Sequence, residues 1–161
     1  MYRLPKTDWI ASDYFNYTDY SRIIDNVTEI KKNGDEIYSN IPAMQTMEVK
    51  SGYTAIPYAD NWNAIDSNIN ALNFAIFGKS LEIATFSDNG YAPNYDVFNK
   101  WESVSARLFN HVIAQLNSLD HLEIILGSVA QYGVRVHYLN EEILGNRLGF
   151  VLGMNKGDIA L

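Results

Sequence analysis

Three times along this chain an aromatic residue opens a run in which apolar side chains return every three or four positions. In the first run Tyr20, Ile23, Ile24, Val27 and Ile30 share one face of a helix, while Asp25, Glu29, Lys31 and Lys32 face away. Trp62, Ile65, Ile69, Leu72 and Ile76 make the second stripe, and Trp101, Val104, Leu108, Val112 and Leu119 the third. Stripes of this kind must be buried against each other. The spacing predicts a mainly α fold with helices over about 18–33, 60–77 and 96–119. Thr18, then Asp60 or Asn61, then Asp96 supply starts, and Asn33-Gly34 and Gly78 supply stops.

The three runs also resemble one another. A shift of 42 residues lays Tyr20 on Trp62, Ile23 on Ile65, Asn26 on Asn68 and Val27 on Ile69; a further 39 lays Trp62 on Trp101 and Ile69 on Leu108. Their approaches match too. Ser51-Gly52-Tyr53 with Pro57-Tyr58 before Trp62 echoes Asn89-Gly90-Tyr91 with Pro93 and Tyr95 before Trp101. Shared apolar period alone is common to all amphipathic helices, but the aromatic in each first turn and the paired Asn and Gly-Tyr signals are not. The chain therefore reads as three loop-plus-helix repeats, with Tyr20, Trp62 and Trp101 each packing on its own preceding loop.

Past Leu119 the pattern changes. Residues 120–126 suit either a continuation of the third helix or a short new one. Beyond Gly127, Val134, Val136 and Tyr138 alternate with polar neighbours, and Leu148 to Leu152 forms a second extended run between Gly145-Asn146 and Gly153. The expected organisation is a helical repeat region over 1–127 and a small C-terminal β-hairpin or sheet over 128–161, acting as an interaction element.

A length of 161 residues fits one domain, and 47% apolar with 19% charged residues is a globular composition. The net charge of −7 and the absence of a basic cluster argue against nucleic-acid or anionic-membrane partners, whose binding draws on grouped Lys and Arg. With no cysteine there is no disulfide framework and no thiolate metal site. No signal-peptide pattern opens the chain and no apolar run is long enough to span a bilayer, so the expectation is a protein made and used without export.

Candidate chemistry is sparse. His111, His121 and His137 match no metal spacing and read as structural or surface residues. The paired acids Asp35 and Glu36, and Glu141 and Glu142, sit beside turn signals where nothing would split their pKa values for acid/base work. Asp13, Asp19 and Asp25 are spaced by six, unlike a calcium loop. Asn26 and Asn68 stand out, each amid an apolar face; the favoured reading is that their amides satisfy backbone groups of the preceding loop. Neither a cofactor nor a catalytic activity is expected.

The front of the chain carries Pro5-Lys6-Thr7-Asp8-Trp9, then Asp13-Tyr14-Phe15-Asn16, then Asp19-Tyr20 with Arg22-Ile23 and Asn26. This run resembles a motif in virion structural proteins of tailed bacteriophages of Gram-positive bacteria. It covers about the first thirty residues, and Asp60-Asn61-Trp62 to Asn68-Ile69 echoes it more loosely. Tyr20-Ser21 and Ile24-Asp25 depart from the commoner form. The resemblance implies a multi-copy part of the tail, baseplate, neck or fibre-attachment region, located in the virion, whose partners are other virion proteins. An assembly chaperone or a binding module, absent from the finished particle, is the alternative. An excess of Tyr and Trp suits surfaces buried against a partner. The expected contact residues are Trp9, Tyr14, Phe15 and Tyr17 at the front, and Val134, Val136, Tyr138, Leu148, Phe150 and Leu152 in the C-terminal segment.

Overall fold

The computed structural model describes residues 1–50, 52 and 57–131, with side chains up to Asp120. Three helices form, α1 over Tyr17–Gly34, α2 over Ala59–Phe77 and α3 over Tyr95–Gln131, and the described residues contain no strand. The expected C-terminal hairpin, Glu141 and Glu142 included, lies outside the described residues.

Each helix begins slightly earlier than the sequence predicts, because the capping residue differs. Asn16, not Thr18, caps α1: its side-chain oxygen accepts the Thr18 amide at 2.8 Å, and the Asp19 carboxylate reaches back to the Asn16 amide at 3.1 Å. This reciprocal arrangement satisfies two donors that a helix start leaves free. Tyr58 precedes α2, and Asn61 works backwards by accepting the Tyr58 amide at 2.9 Å. At α3 the Asn94 side chain takes the Val97 amide at 3.1 Å. Gly78 closes α2 in the left-handed region, at φ 66°, which costs a glycine little. Residues 120–126 continue α3.

The helices lie parallel. Near their starts Tyr20 meets Trp62 edge-on at 5.3 Å, and Trp62 meets Phe98 at 6.1 Å. Towards their ends Tyr38 bonds His111 at 3.0 Å, the Phe77 ring lies 4.9 Å from His111, and Arg107 donates to Asn73 at 2.7 Å. Beyond His111 α3 runs on for another twenty residues, about 30 Å at the usual rise. Parallel helices stack their dipoles unfavourably, and Asp19, Asp60 and Asp96 in the three first turns offset the gathered positive ends.

Parallel neighbours require each connection to travel back the length of the bundle. Three leads do so in the three grooves between helices. Lead 1 (residues 1–16) runs between α1 and α3: Arg3 pairs with Asn26 and Asp25, Tyr2 stacks on Phe109 at 3.6 Å, and Trp9 pairs with Asn99. Lead 2 (residues 35–58) runs between α1 and α2, where the Glu48 carbonyl accepts Tyr20 Oη at 3.0 Å and Gln45 pairs with Asn68. Lead 3 (residues 78–94) runs between α2 and α3, pairing with Asn70, Asp66 and Asn63 in turn while Phe86 meets Trp101 at 6.1 Å. Lead and helix are thus related cyclically: each lead sits between its own helix and the one before, and lead 1 treats α3 as its predecessor.

Side-chain amides do the work that strand pairing would do elsewhere. Asn26 accepts the Arg3 amide at 2.6 Å and donates to the Arg3 carbonyl at 2.9 Å; Asn68 does the same to Gln45 at 2.8 and 2.9 Å. Both are the tenth residue of their helix and both hold the lead that precedes it. That is the role expected for Asn26 and Asn68. Asn63 and Asn99, each the fifth residue of its helix, hold the lead of the next helix in the cycle, Phe86 at 2.9 and 2.9 Å and Trp9 at 2.8 and 2.9 Å. Three residues on, the buried carboxylate Asp66 accepts one more lead amide, from Ala84 at 2.9 Å, and Glu102 is the matching buried carboxylate of α3.

This register corrects the repeat. Trp62 is the fourth residue of α2 and Tyr20 the fourth of α1, but the fourth residue of α3 is Phe98; Trp101 is the seventh. The third unit follows at 36 residues, not 39. Nor do the aromatics all pack on their own loops: Trp101 meets Phe86 of its own lead, but Trp62 meets Phe15 of lead 1 and Tyr20 bonds lead 2. Tyr20, Trp62, Phe98 and Trp101 form one central cluster with Trp9, joined by Ile23, Ile65, Ile69, Leu72 and Leu108. A single cluster buries the same rings more completely than three separate loop pockets could.

Candidate interaction surface

At the end where the three helices start, the side chains divide sharply into core and rim. Phe15, Trp62 and Phe98 form the floor of an open groove of about 320 Å³ walled by Asn16, Pro57 and Pro93. A second groove of about 280 Å³ adjoins it across Phe15 and Phe98, bounded by Ile10, Asp13 and Tyr95. The chain reaches this end at the close of every lead, and each lead closes on a proline or capping residue that turns it into a helix.

Ile10 and Tyr95 line the second groove, and Tyr14, Tyr58 and Tyr91 are the chain neighbours of groove-lining Phe15, Pro57 and Ala92, with Tyr14 93% and Tyr91 99% exposed. They are five of the ten large hydrophobic side chains exposed among the described residues, so half of that set gathers at one end. Such concentration, in tyrosines above all, is the composition of a contact patch. Lys50 adds a positive charge, with Nζ 5.8 Å from the Tyr58 ring and 2.5 Å from Glu48.

The front aromatics expected as contacts separate on this surface. Tyr14 points to solvent and Tyr17 is half-buried at the groove wall. Phe15 is half-buried and stacks on Phe98 at 4.2 Å. Trp9 is only 4% exposed, between Phe15 and Phe98 at 5.7 and 5.5 Å, so it belongs to the core and not to the exposed rim. Its backbone is held by Asn99 and its ring is covered by Lys6 at 4.2 Å. Val134, Val136, Tyr138, Leu148, Phe150 and Leu152 lie outside the described residues. Tyr58, Tyr91 and Tyr95, exposed at this end, were not among the expected contact residues, although a Tyr recurs in each lead.

A second polar region lies beneath lead 1. Glu102, 1% exposed, accepts Arg22 Nε at 3.0 Å and Nη2 at 2.6 Å through one oxygen, while Arg22 Nη1 also donates to Asp19 at 2.8 Å. Burial pushes the Glu102 carboxyl above its usual range against the opposing pull of Arg22. Burial would lower the Arg22 guanidinium, but Glu102 and Asp19 overcome it and its pKa rises. The Tyr2 hydroxyl, desolvated and facing the Glu102 charge, is pushed up to about 12. Four buried polar atoms have no partner within the protein among the described residues: Tyr2 Oη, Trp9 Nε1, Glu102 Oε2 and Ser105 Oγ.

The remaining candidates resolve into structural roles. Asp13, Asp19 and Asp25 engage separate groups, namely Lys6 at 2.7 Å, the Asn16 cap with Arg22, and Arg3. His111 is fixed by Tyr38 and Phe77. Asp35 binds Lys31 at 2.6 Å on the surface and Glu36 is exposed beside it. Among the described residues no helix is long and apolar enough to cross a membrane. No family model, no curated protein and no solved structure matches this chain.

Proposed function

We propose that this protein is a structural component of a tailed-phage virion, in the tail, baseplate, neck or fibre-attachment region, and that it acts by protein–protein assembly. The observation that carries the assembly role is the tyrosine-rimmed pair of grooves at the helix starts, which presents rigid amphipathic rings around an apolar floor. The N-terminal motif, Trp9 through Asn26, is what points to a virion. Its polar members here serve the fold, Asn16 as cap, Asp19 and Arg22 as ion-pair partners and Asn26 as backbone clamp. The motif therefore fits a scaffold whose exposed rings make the contacts.

The test is incorporation. Tyr14→Ser combined with Tyr91→Ser removes the two most exposed rings of the patch without touching the core, so the helical signal should be unchanged. Co-purification with particles should fall by roughly tenfold or more if these rings anchor the contact. Wild-type protein that never co-purifies with particles at fixed stoichiometry favours the chaperone reading.

A further inference from the structure

Three grooves hold three leads, but they do not close in the same way. Lead 2 continues α1 and enters α2, the two helices that wall its groove; lead 3 stands in the same relation to α2 and α3. Lead 1 enters α1 but has no covalent link to α3, its other wall. Its grip there is Asn99 on the Trp9 backbone and Phe109 against the Tyr2 ring.

Among the described residues, that seam is also the one place where buried polar side-chain atoms are left over. Glu102, Ser105 and Phe109 follow at helical spacing on one face of α3, and the Tyr2 ring lies on Phe109 with its hydroxyl under the influence of Glu102. All four unpartnered buried polar atoms belong to lead 1 or to the α3 wall facing it. Leaving such a group buried without a partner costs stability. The lead 1 seam is therefore the least satisfied of the three and the only one that opens without moving a helix connection.

We propose that residues 1–9 exchange between copies of this protein, so that the strap of one copy fills the α1–α3 groove of the next and returns to its own α1 through residues 10–16. The occupant follows from the clamps. Asn26 and Asn99 bind backbone at a set separation, Phe109 stacks on the Tyr2 ring and Arg22 lies 5.8 Å from the Trp9 ring, so the segment that fits this groove is a second copy of the same strap. The turn that would open is small: the Asp13 amide on the Ile10 carbonyl at 3.0 Å, and the Asp13 carboxylate on the Ile10 amide at 3.1 Å. Exchange uses contacts the monomer already has. This inference rests on the multi-copy role proposed above and names one way the copies are joined.

The experiment uses full-length Arg3→Lys protein, made once with ordinary and once with heavy nitrogen, mixed in denaturant and refolded together. A carbodiimide couples the residue 3 amine to Asp25, its ion-pair partner across the strap–α1 contact. It also couples Lys31 to Asp35, 2.6 Å apart within one chain end, as an internal control. With symmetric exchange roughly one half of the links from residue 3 to Asp25 should join light to heavy peptides, while Lys31–Asp35 links stay isotopically pure. Pure links at residue 3 in a sample that sediments as an oligomer overturn strap exchange and leave the assembly role standing. Pure links in a sample that stays monomeric at every concentration count against both.

Discussion

The lead 1 seam and the lead 2 seam are built from the same parts. Each is an extended segment antiparallel to its helix, held by an Asn at the tenth helical position, 23 residues ahead of the backbone it grips. They differ in what lies on the opposite wall. Lead 2 meets Tyr20, whose hydroxyl finds the Glu48 carbonyl, and it is tied covalently to both walls. Lead 1 meets Glu102 and Ser105, keeps unpartnered polar atoms and is tied to one. Equivalent clamps thus give a permanent brace in one groove and a releasable strap in the other. Connectivity and polar satisfaction, more than the number of clamps, set which segment can leave.

The largest effect should come from removing what both seams share. Trp62→Ala deletes the ring that touches Tyr20, Phe98 and Trp101, and should cost about 3 to 5 kcal/mol in denaturant unfolding, as large aromatic truncations in cores do. All leads should lose protection together. Separate unfolding of lead 2 alone in this variant would show that the cluster is not common to the seams.

The clamps come next and should split the comparison. Asn68→Ala removes both hydrogen bonds to the Gln45 backbone in a lead that cannot move away, a loss of about 1 to 3 kcal/mol at the usual net worth of two part-buried hydrogen bonds. Asn26→Ala strands the Arg3 groups in a lead that can. Its global loss should be smaller, with fast hydrogen exchange confined to lead 1. Equal global losses in the two variants would mean lead 1 is as fixed as lead 2.

Ser105→Ala removes a buried hydroxyl that bonds nothing in the protein, so it should raise stability by about 1 kcal/mol, seen as a higher denaturant midpoint at unchanged slope. A lower midpoint would show that Ser105 Oγ is satisfied and that the seam is less frustrated than described.

The smallest effect is on pH. Glu102 is raised above its ordinary 4.5 in the folded protein, so the native state holds its proton more tightly than the unfolded chain does. Between the folded value and 4.5 stability should therefore grow as pH falls, and be lost again as pH rises through the folded value. Asp13 and Glu48 are held below their ordinary values by Lys6 and Lys50, so they act in the opposite sense and at lower pH. Glu102→Gln should flatten the rise between neutral pH and 4.5 in denaturant melts; a rise that survives the substitution assigns it to another group.

By itself the sequence determined the three helices, because an apolar period of three to four residues has one economical burial, and it placed Gly78 as a stop because only a left-handed residue closes that turn. It also marked Asn26 and Asn68, since an amide inside an apolar face must find polar partners. It did not reveal that the helices run parallel, and everything that depends on this came from tertiary structure. Parallel packing sends the leads back along the grooves, and only then do Asn63 and Asn99 face backbone, Asp66 and Glu102 become buried acceptors, and Trp9 become core. The third repeat was misplaced by three residues for a related reason: almost one helical turn shifts Phe98 to Trp101 while preserving the apolar stripe, so periodicity cannot distinguish the two. The packing of Trp62 against both rings, with Asn63 and Asn99 in matching positions, decided it.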